Sequence, residues 1–213
     1  MSRRWGLFRI AGLLIVLLLF ASHWSWCHAN EWGYVDRVDD GDTVVLADGR
    51  RIRYLGINAP EIQHGGKSSE PFGRVAMRFN RDLALHQKIR LEYDAERQDA
   101  YGRDLAYLFL SNGIFVNAEI VRHGYAHCLP SALNKRYETL LLLAQREAMQ
   151  QGRGIWQKMK KSSERLVGNM NSKRFHRPGC QAARNMRKTN QLFLYGKWNA
   201  FWNGYAPCRQ CLP

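Results

Sequence analysis

The chain has 213 residues, room for one mid-sized domain with a small companion. Its 46% hydrophobic and 23% charged content excludes a disordered or low-complexity protein. The formal net charge is +14 and is unevenly spread: residues 30–158 carry 18 basic and 17 acidic groups, whereas residues 159–213 carry 11 basic groups against the single acid Glu164. A nearly neutral body therefore bears a strongly cationic tail, which suits a polyanion or an anionic surface.

The amino end reads as a targeting element. Arg3, Arg4 and Arg9 precede a Leu-rich apolar run at residues 10–21, too short for the roughly 20 residues of a bilayer span. Cys27-His28-Ala29 then ends on a small residue suited to cleavage. Residues 1–29 are read as a signal peptide of an exported protein, periplasmic or secreted, with an uncleaved anchor as the alternative. Membrane contact is expected through this segment alone.

From Glu31 onward the text turns to short β-branched runs. Residues 32–35, 43–46 and 51–55 read as strands, with Asp39-Asp40-Gly41 and Asp48-Gly49 as the turns between them. Residues 71–85 read as a helix, with Val75, Phe79 and Leu83 spaced four apart. Strands at 88–93 and 104–110 follow, then the segment 116–123 and a long amphipathic helix at 135–150 that ends before Gly152. Five strands with interleaved and following helices in about 130 residues predict an α+β fold: an OB-like five-stranded β-barrel with packed helices, over residues 30–158. Residues 159–172 show little apolar pattern and read as a linker. Residues 173–213 form a second, smaller domain, too short to bury a core unaided.

Three stretches of the barrel carry unusual chemistry. Asp40-Gly41-Asp42-Thr43 opens a strand; Arg53 lies on the next one, and Asn58-Ala59-Pro60-Glu61 leaves its end; Asp99-Ala100-Tyr101-Gly102-Arg103 forms a later turn. Singly, each reads as an ordinary turn or surface charge. Together they supply acidic metal ligands, two guanidiniums and a free carboxylate, the parts phosphodiester hydrolysis requires.

Over residues 35–156 the sequence resembles the thermonuclease, or staphylococcal nuclease-like, family. The resemblance is carried by Asp40-Gly41-Asp42-Thr43-Val44, by Arg53 eight residues before Glu61 with Pro60 between them, by Tyr101-Gly102-Arg103-x-Leu105-Ala106-Tyr107, and by Val116-Asn117. It implies an OB-fold endonuclease that hydrolyses DNA and RNA with Ca²⁺ and leaves 3′-phosphate ends. It also implies Ca²⁺ ligands at Asp42, at Asn58 and at the backbone carbonyl of Ala59. Glu61 would be the general base, Arg53 and Arg103 the phosphate-gripping catalytic arginines, and Tyr101 a substrate-binding residue. Asn58 stands where the family usually has an aspartate, and residues 125–133 lack its further nucleotide-pocket tyrosines. Cys128 reads as a core thiol, and His123 and His127 as structural histidines. The rival reading is a non-catalytic nucleic-acid-binding barrel; Arg53, Glu61 and Arg103 occurring together favour the enzyme.

In the tail, His176-x₃-Cys180 and Cys208-x₂-Cys211 are knuckle spacings that let two ligands reach one tetrahedral ion. The region resembles the metal-binding domain of the Ada DNA-repair protein, with His176 in place of that pattern's first cysteine and Gly204-Tyr205-x-Pro207-Cys208 also matched. Zn²⁺ on His176, Cys180, Cys208 and Cys211 is expected. The alternative is a disulfide, Cys208–Cys211 or Cys128–Cys180, which leaves His176 unexplained. Lysines and arginines interleaved with aromatics around these ligands predict a module that holds nucleic acid, DNA or RNA, near the barrel. No protein partner is implied.

Overall fold

The computed structural model describes residues 31–62 and 69–212. The expected signal peptide, residues 1–29, lies outside them. Among the described residues no helix is long and apolar enough to cross a membrane.

The first six strands are β1 (Glu31–Asp40), β2 (Thr43–Leu46), β3 (Arg51–Tyr54), β4 (Ile57–Asn58), β5 (Lys88–Glu92) and β6 (Asp104–Leu110). All but β4 close into a barrel in the order β1-β2-β3-β6-β5. Only the β3–β6 pairing in it is parallel. The expected five-stranded α+β barrel is therefore what the chain forms. β1 makes closure possible by serving two neighbours: residues 31–34 pair with β5, and Val35 onward pairs with β2. Its second half escapes sequence prediction because register shifts near Arg37 and Asp39 interrupt the alternation, as bulges that bend a strand do. Val35, Val44, Ile52, Ile89 and Leu108 fill the interior and are wholly buried.

Helices α1 (Gly73–Ala84), α2 (Val116–Arg122) and α3 (Glu138–Gln150) surround the barrel, and β7 (His127–Cys128) pairs antiparallel with β4. Buried Asn117 ties α2 to the barrel, donating from Nδ2 to the Leu55 carbonyl at 2.9 Å and accepting the Leu108 N–H at 3.0 Å.

The tail folds as a four-stranded sheet from β8 (Arg165–Asn169), β9 (Arg174–His176), β10 (Gln191–Tyr195) and β11 (Ala206–Pro207), ordered β10-β8-β9-β11. Short helices α4 (Gln181–Arg184) and α5 (Lys197–Trp202) accompany it. One sequence expectation changes here. Residues 165–169, read as linker, are an interior strand: only Leu166 and Val167 are buried apolar residues in it, too few to show alternation, and five paired residues with β10 define it instead. The tail also packs on the nuclease domain. Leu166, Phe175 and Phe201 share one buried cluster with Met149 of α3 and with Trp156. Wholly buried Gln145 bridges the halves, accepting the Cys128 N–H and donating to the Phe201 carbonyl, both at 2.6 Å.

Candidate active site

The Asp40-Gly41-Asp42 turn joins β1 to β2 and packs tightly. A Cβ on Gly41 would lie 2.5 Å from the Ala59 Cβ and 2.8 Å from the Ala76 Cβ, so only glycine lets the turn press against the Ala59 strand exit. That approach brings Asp42 onto Ala59. Asp42 is 4% exposed; its Oδ2 accepts the Ala59 N–H at 2.6 Å and Arg53 Nη2 at 2.9 Å. Its own N–H donates to Asp40 Oδ1 at 2.9 Å. Burial pushes the Asp42 carboxyl up to about 7; Arg53 opposes the rise and the Asp40 charge adds to it. Asp40 and Asp42, neighbours on this turn, and the adjoining Ala59 backbone offer carboxylate and carbonyl oxygens, a hard-oxygen donor set of the kind a divalent cation takes.

Arg53 is fixed from every side. It is 8% exposed, and besides Asp42 it donates to the Tyr54 and Ile57 carbonyls and to Asn58 Oδ1, each at 3.0 Å. Asn58 thus accepts from Arg53 while its Nδ2 points at the Ala59 carbonyl at 3.4 Å. An aspartate could accept from Arg53 but could not donate to that carbonyl, a physical reason for an amide here.

Arg103 is held by a second carboxylate. Its Nε and Nη2 each lie 2.7 Å from Asp99 Oδ2, and Asp99 Oδ1 accepts the backbone N–H of Tyr101 at 2.9 Å and of Arg103 at 3.1 Å. Gly102, at φ +74°, allows the turn between them. Burial pushes the Asp99 carboxyl up, and its bonds to Arg103 and Tyr101 outweigh that and hold it below its ordinary value. Tyr101 is 83% exposed, its ring 5.6 Å from the Arg103 guanidinium carbon.

Asp42, Arg53, Glu61, Tyr101 and Arg103 line one open pocket. Asn58 lies in an adjoining groove that shares Glu61, and buried Ala59 reaches the site through its backbone. The loop carrying exposed Glu61 is clamped by Glu70, whose carboxylate accepts the Glu61 N–H and whose N–H donates to the Glu61 carbonyl, both at 2.9 Å. Sequence reasoning passed over Asp99 and Glu70 as holders of the site. His127, expected only as a structural histidine, and Arg209, expected only as one of the tail's cations, both line the groove. Nothing local marks those two, which the fold delivers from distant segments.

His127 faces Asn58 across the β4–β7 pairing. Burial pushes its imidazole down to about 4; the Cys128 carbonyl opposes this, and Arg174, Arg53 and Arg209 add to it. Between the ordinary histidine value and about 4, the unfolded chain takes up a proton that the folded chain refuses, so this residue costs stability as pH falls. From about pH 7 to about pH 5, His127→Gln is expected to lose about 1–2 kcal/mol less stability than the parent. Urea unfolding curves at both pH values check this; parallel losses would place His127 in bulk-like solvent.

In the tail, the ligand atoms of His176, Cys180, Cys208 and Cys211 all lie within 4.8 Å of one another. Cys180 Sγ is 3.6 Å from His176 Nδ1, and the Arg177 N–H donates to Cys211 Sγ at 3.4 Å. A tetrahedral ion with bonds of ~2.3 Å spaces its ligands by about 3.8 Å, so the four residues fit a metal with small contraction. Cys128 is elsewhere, packed in the barrel core, where burial pushes its thiol well up.

A closed barrel with two carboxylate-held arginines around a free carboxylate holds the parts that phosphodiester cleavage calls for. A family profile described as staphylococcal nuclease homologue matches residues 51–158. The thermonuclease of Staphylococcus intermedius is 36% identical over 127 residues, covering 58% of this chain and 75% of that one. The thermonuclease of Staphylococcus hyicus is 35% identical over 133 residues, covering 61% and 78%. An endonuclease of Escherichia coli is 34% identical over 147 residues, covering 67% and 88%. The chain belongs to the staphylococcal nuclease family and is a nuclease that hydrolyses phosphodiester bonds.

Proposed function

We propose that the chain is an exported, Ca²⁺-dependent endonuclease of DNA and RNA whose tail is a Zn²⁺-stabilised domain, similar to that of the Ada protein, that helps hold nucleic acid. The observation that carries the catalytic part is the pocket in which Arg53 and Arg103, each pinned by its own carboxylate, face Glu61. A phosphodiester resists attack because its oxygens are already charged and gain more charge in the transition state. Two fixed guanidiniums stay charged at any working pH and need no reorganisation as the reaction proceeds: Arg103 offers the N–H groups that Asp99 leaves free, and Arg53, whose terminal N–H groups are engaged in the fold, offers its charge. Glu61, exposed at the pocket wall, takes the proton from the attacking water. Asp42, Asn58 and the Ala59 carbonyl hold Ca²⁺, with Asp40 at the same turn adding charge. When bound, Ca²⁺ supplies positive charge beside the phosphate. Tyr101 offers an exposed ring to the nucleotide.

The four-ligand cluster supports Zn²⁺ at His176, Cys180, Cys208 and Cys211. The basic and apolar amino end, residues 1–29, supports export to the periplasm or medium. The test uses residues 30–213 with plasmid, single-stranded DNA and RNA. Cleavage is expected in millimolar-order Ca²⁺ and not in chelator, with one Zn²⁺ per chain by metal analysis. Intact substrates with Ca²⁺ would sink the catalytic reading, and fully oxidised thiols without zinc would sink the metal reading of the tail.

A further inference from the structure

Two concavities meet at the nuclease site. One holds Asp42, Arg53 and Arg103; the other runs from Asn58 and His127 across to Arg174 and Lys197 of the tail. Glu61 and Arg209 line both and so mark the junction. Arg209 sits on the turn between Cys208 and Cys211, with its side chain exposed. That turn is fixed by backbone bonds. The Cys208 N–H donates to the Phe175 carbonyl and the Leu212 N–H to the Cys208 carbonyl, both at 2.9 Å, and β11 runs beside β9 with Ala206 opposite Arg174. The shared core in turn fixes the sheet to the barrel. Arg209 is therefore presented to the pocket by folded structure rather than by a loose tail.

The charges here are arranged differently from those of the barrel. Arg53 is paired with Asp42 and Arg103 with Asp99. Among the described residues, no ion pair engages Arg174, Lys197 or Arg209. The carboxylates lining their groove are Glu61 and Glu70, and both Glu70 backbone and side chain are committed to the Glu61 loop. Unpaired cations gathered along one wall repel each other until an anion lies between them. A groove leading straight from the cleavage pocket, walled by such cations, has the chemistry of a nucleic-acid backbone track.

We propose that Arg209 and Arg174 bind the backbone phosphate adjacent to the scissile one, so that the tail completes the substrate site of the nuclease. This rests on the nuclease function proposed above. A single-stranded polynucleotide is the ligand the groove suits, because its phosphates can follow the wall while its bases stay free. The contacts orient substrate without touching the reacting atoms, so they govern strand affinity more than turnover.

The experiment compares Arg209→Ala, Arg174→Ala and Arg209→Lys with Lys188→Ala, which removes one exposed tail cation outside both concavities. Steady-state cleavage is read on a single-stranded DNA of about 16 nucleotides, and affinity for the same strand is read without added Ca²⁺ across a salt series. Arg209→Ala and Arg174→Ala are each expected to raise KM about tenfold, keep kcat within about threefold and flatten the logarithmic salt slope by about 0.7. Arg209→Lys should retain most of the affinity; thermal melting should match the parent for exposed Arg209, and the variant of half-buried Arg174 is compared at temperatures where its own melting curve shows it folded. If both alanine variants behave like Lys188→Ala, the tail is not part of the site. A loss of kcat at unchanged KM for Arg209→Ala would put Arg209 on the reacting phosphate and overturn the adjacent-phosphate assignment. Should the parent cleave nothing, the nuclease reading fails by itself, and the salt slopes still decide whether Arg209 and Arg174 hold a strand.

Discussion

Arg103→Ala is expected to lower kcat by about 10²–10³-fold while strand affinity changes only a few-fold. The asymmetry follows from when the guanidinium is needed. In the ground state the phosphate's charge is partly met by Arg53, by water and by the groove cations, so one contact fewer is tolerated. In the transition state the charge on the equatorial oxygens rises, and a donor already fixed in place costs no rearrangement. Asp99 does that fixing, with two 2.7 Å contacts to the side chain and two bonds to the local backbone. Arg103→Lys keeps the charge but loses the planar fork and is expected to recover only part of the rate. Asp99→Asn, which leaves Arg103 intact but weakly held, should fall between parent and Arg103→Ala, since Asp99 positions and does not touch substrate. Single-turnover rates together with binding curves check all three. Unchanged turnover with an affinity loss in Arg103→Ala would make Arg103 a plain binding residue.

The parts of this site that were legible in the sequence are those whose geometry is local. Asp42 follows a turn glycine, Arg53 and Glu61 flank one strand exit, and Arg103 closes a five-residue turn whose first member clamps it. Short-range spacing encodes such relations, so motif and resemblance recover them. Barrel strands such as Thr43–Leu46 and Asp104–Leu110 were legible for the same reason, being short β-branched or apolar runs between clear turns. The second half of β1 was not, because bulges spoil its alternation, and β8 was not, because pairing rather than pattern defines it. The groove was wholly illegible. His127, Arg174 and Arg209 converge only after α3 has offered one face to the barrel and another to the tail, and no local pattern announces a helix with two customers. In sequence the tail cations are a general attraction for nucleic acid; only the docked fold puts Arg209 at the junction with the cleavage pocket and Arg174 along the adjoining groove.

Phe201→Ala is expected to destabilise the barrel and the tail together, by about 3–5 kcal/mol. Phe201 is buried on α5, and its ring meets three others: Trp156 at 5.0 Å, Phe175 at 5.3 Å and His127 at 5.3 Å, the first two edge-on. Those partners come from the end of the nuclease domain, from the tail sheet and from β7, so one truncation opens a cavity touching all three. Such edge-on pairs add to simple area burial. The Phe201 carbonyl also receives Gln145, and Gln145 in turn holds the Cys128 N–H of β7, so a shift of α5 reaches the strand beside Asn58. Cooperative unfolding is the consequence. Denaturant curves followed by a barrel probe and by a tail probe should coincide in the parent and move together in the variant. The same argument recasts removal of the tail: a chain ending at residue 158 leaves Trp156 and Met149 without their partners, so lost activity in that truncation would report lost stability as much as lost binding. Leu194→Ala, which opens the same cluster from edge strand β10 of the tail sheet, gives an independent check. Two separated transitions, with the barrel midpoint unmoved by either substitution, would mean that the tail is a module of its own and that the shared core contributes little to holding Arg209 at the pocket.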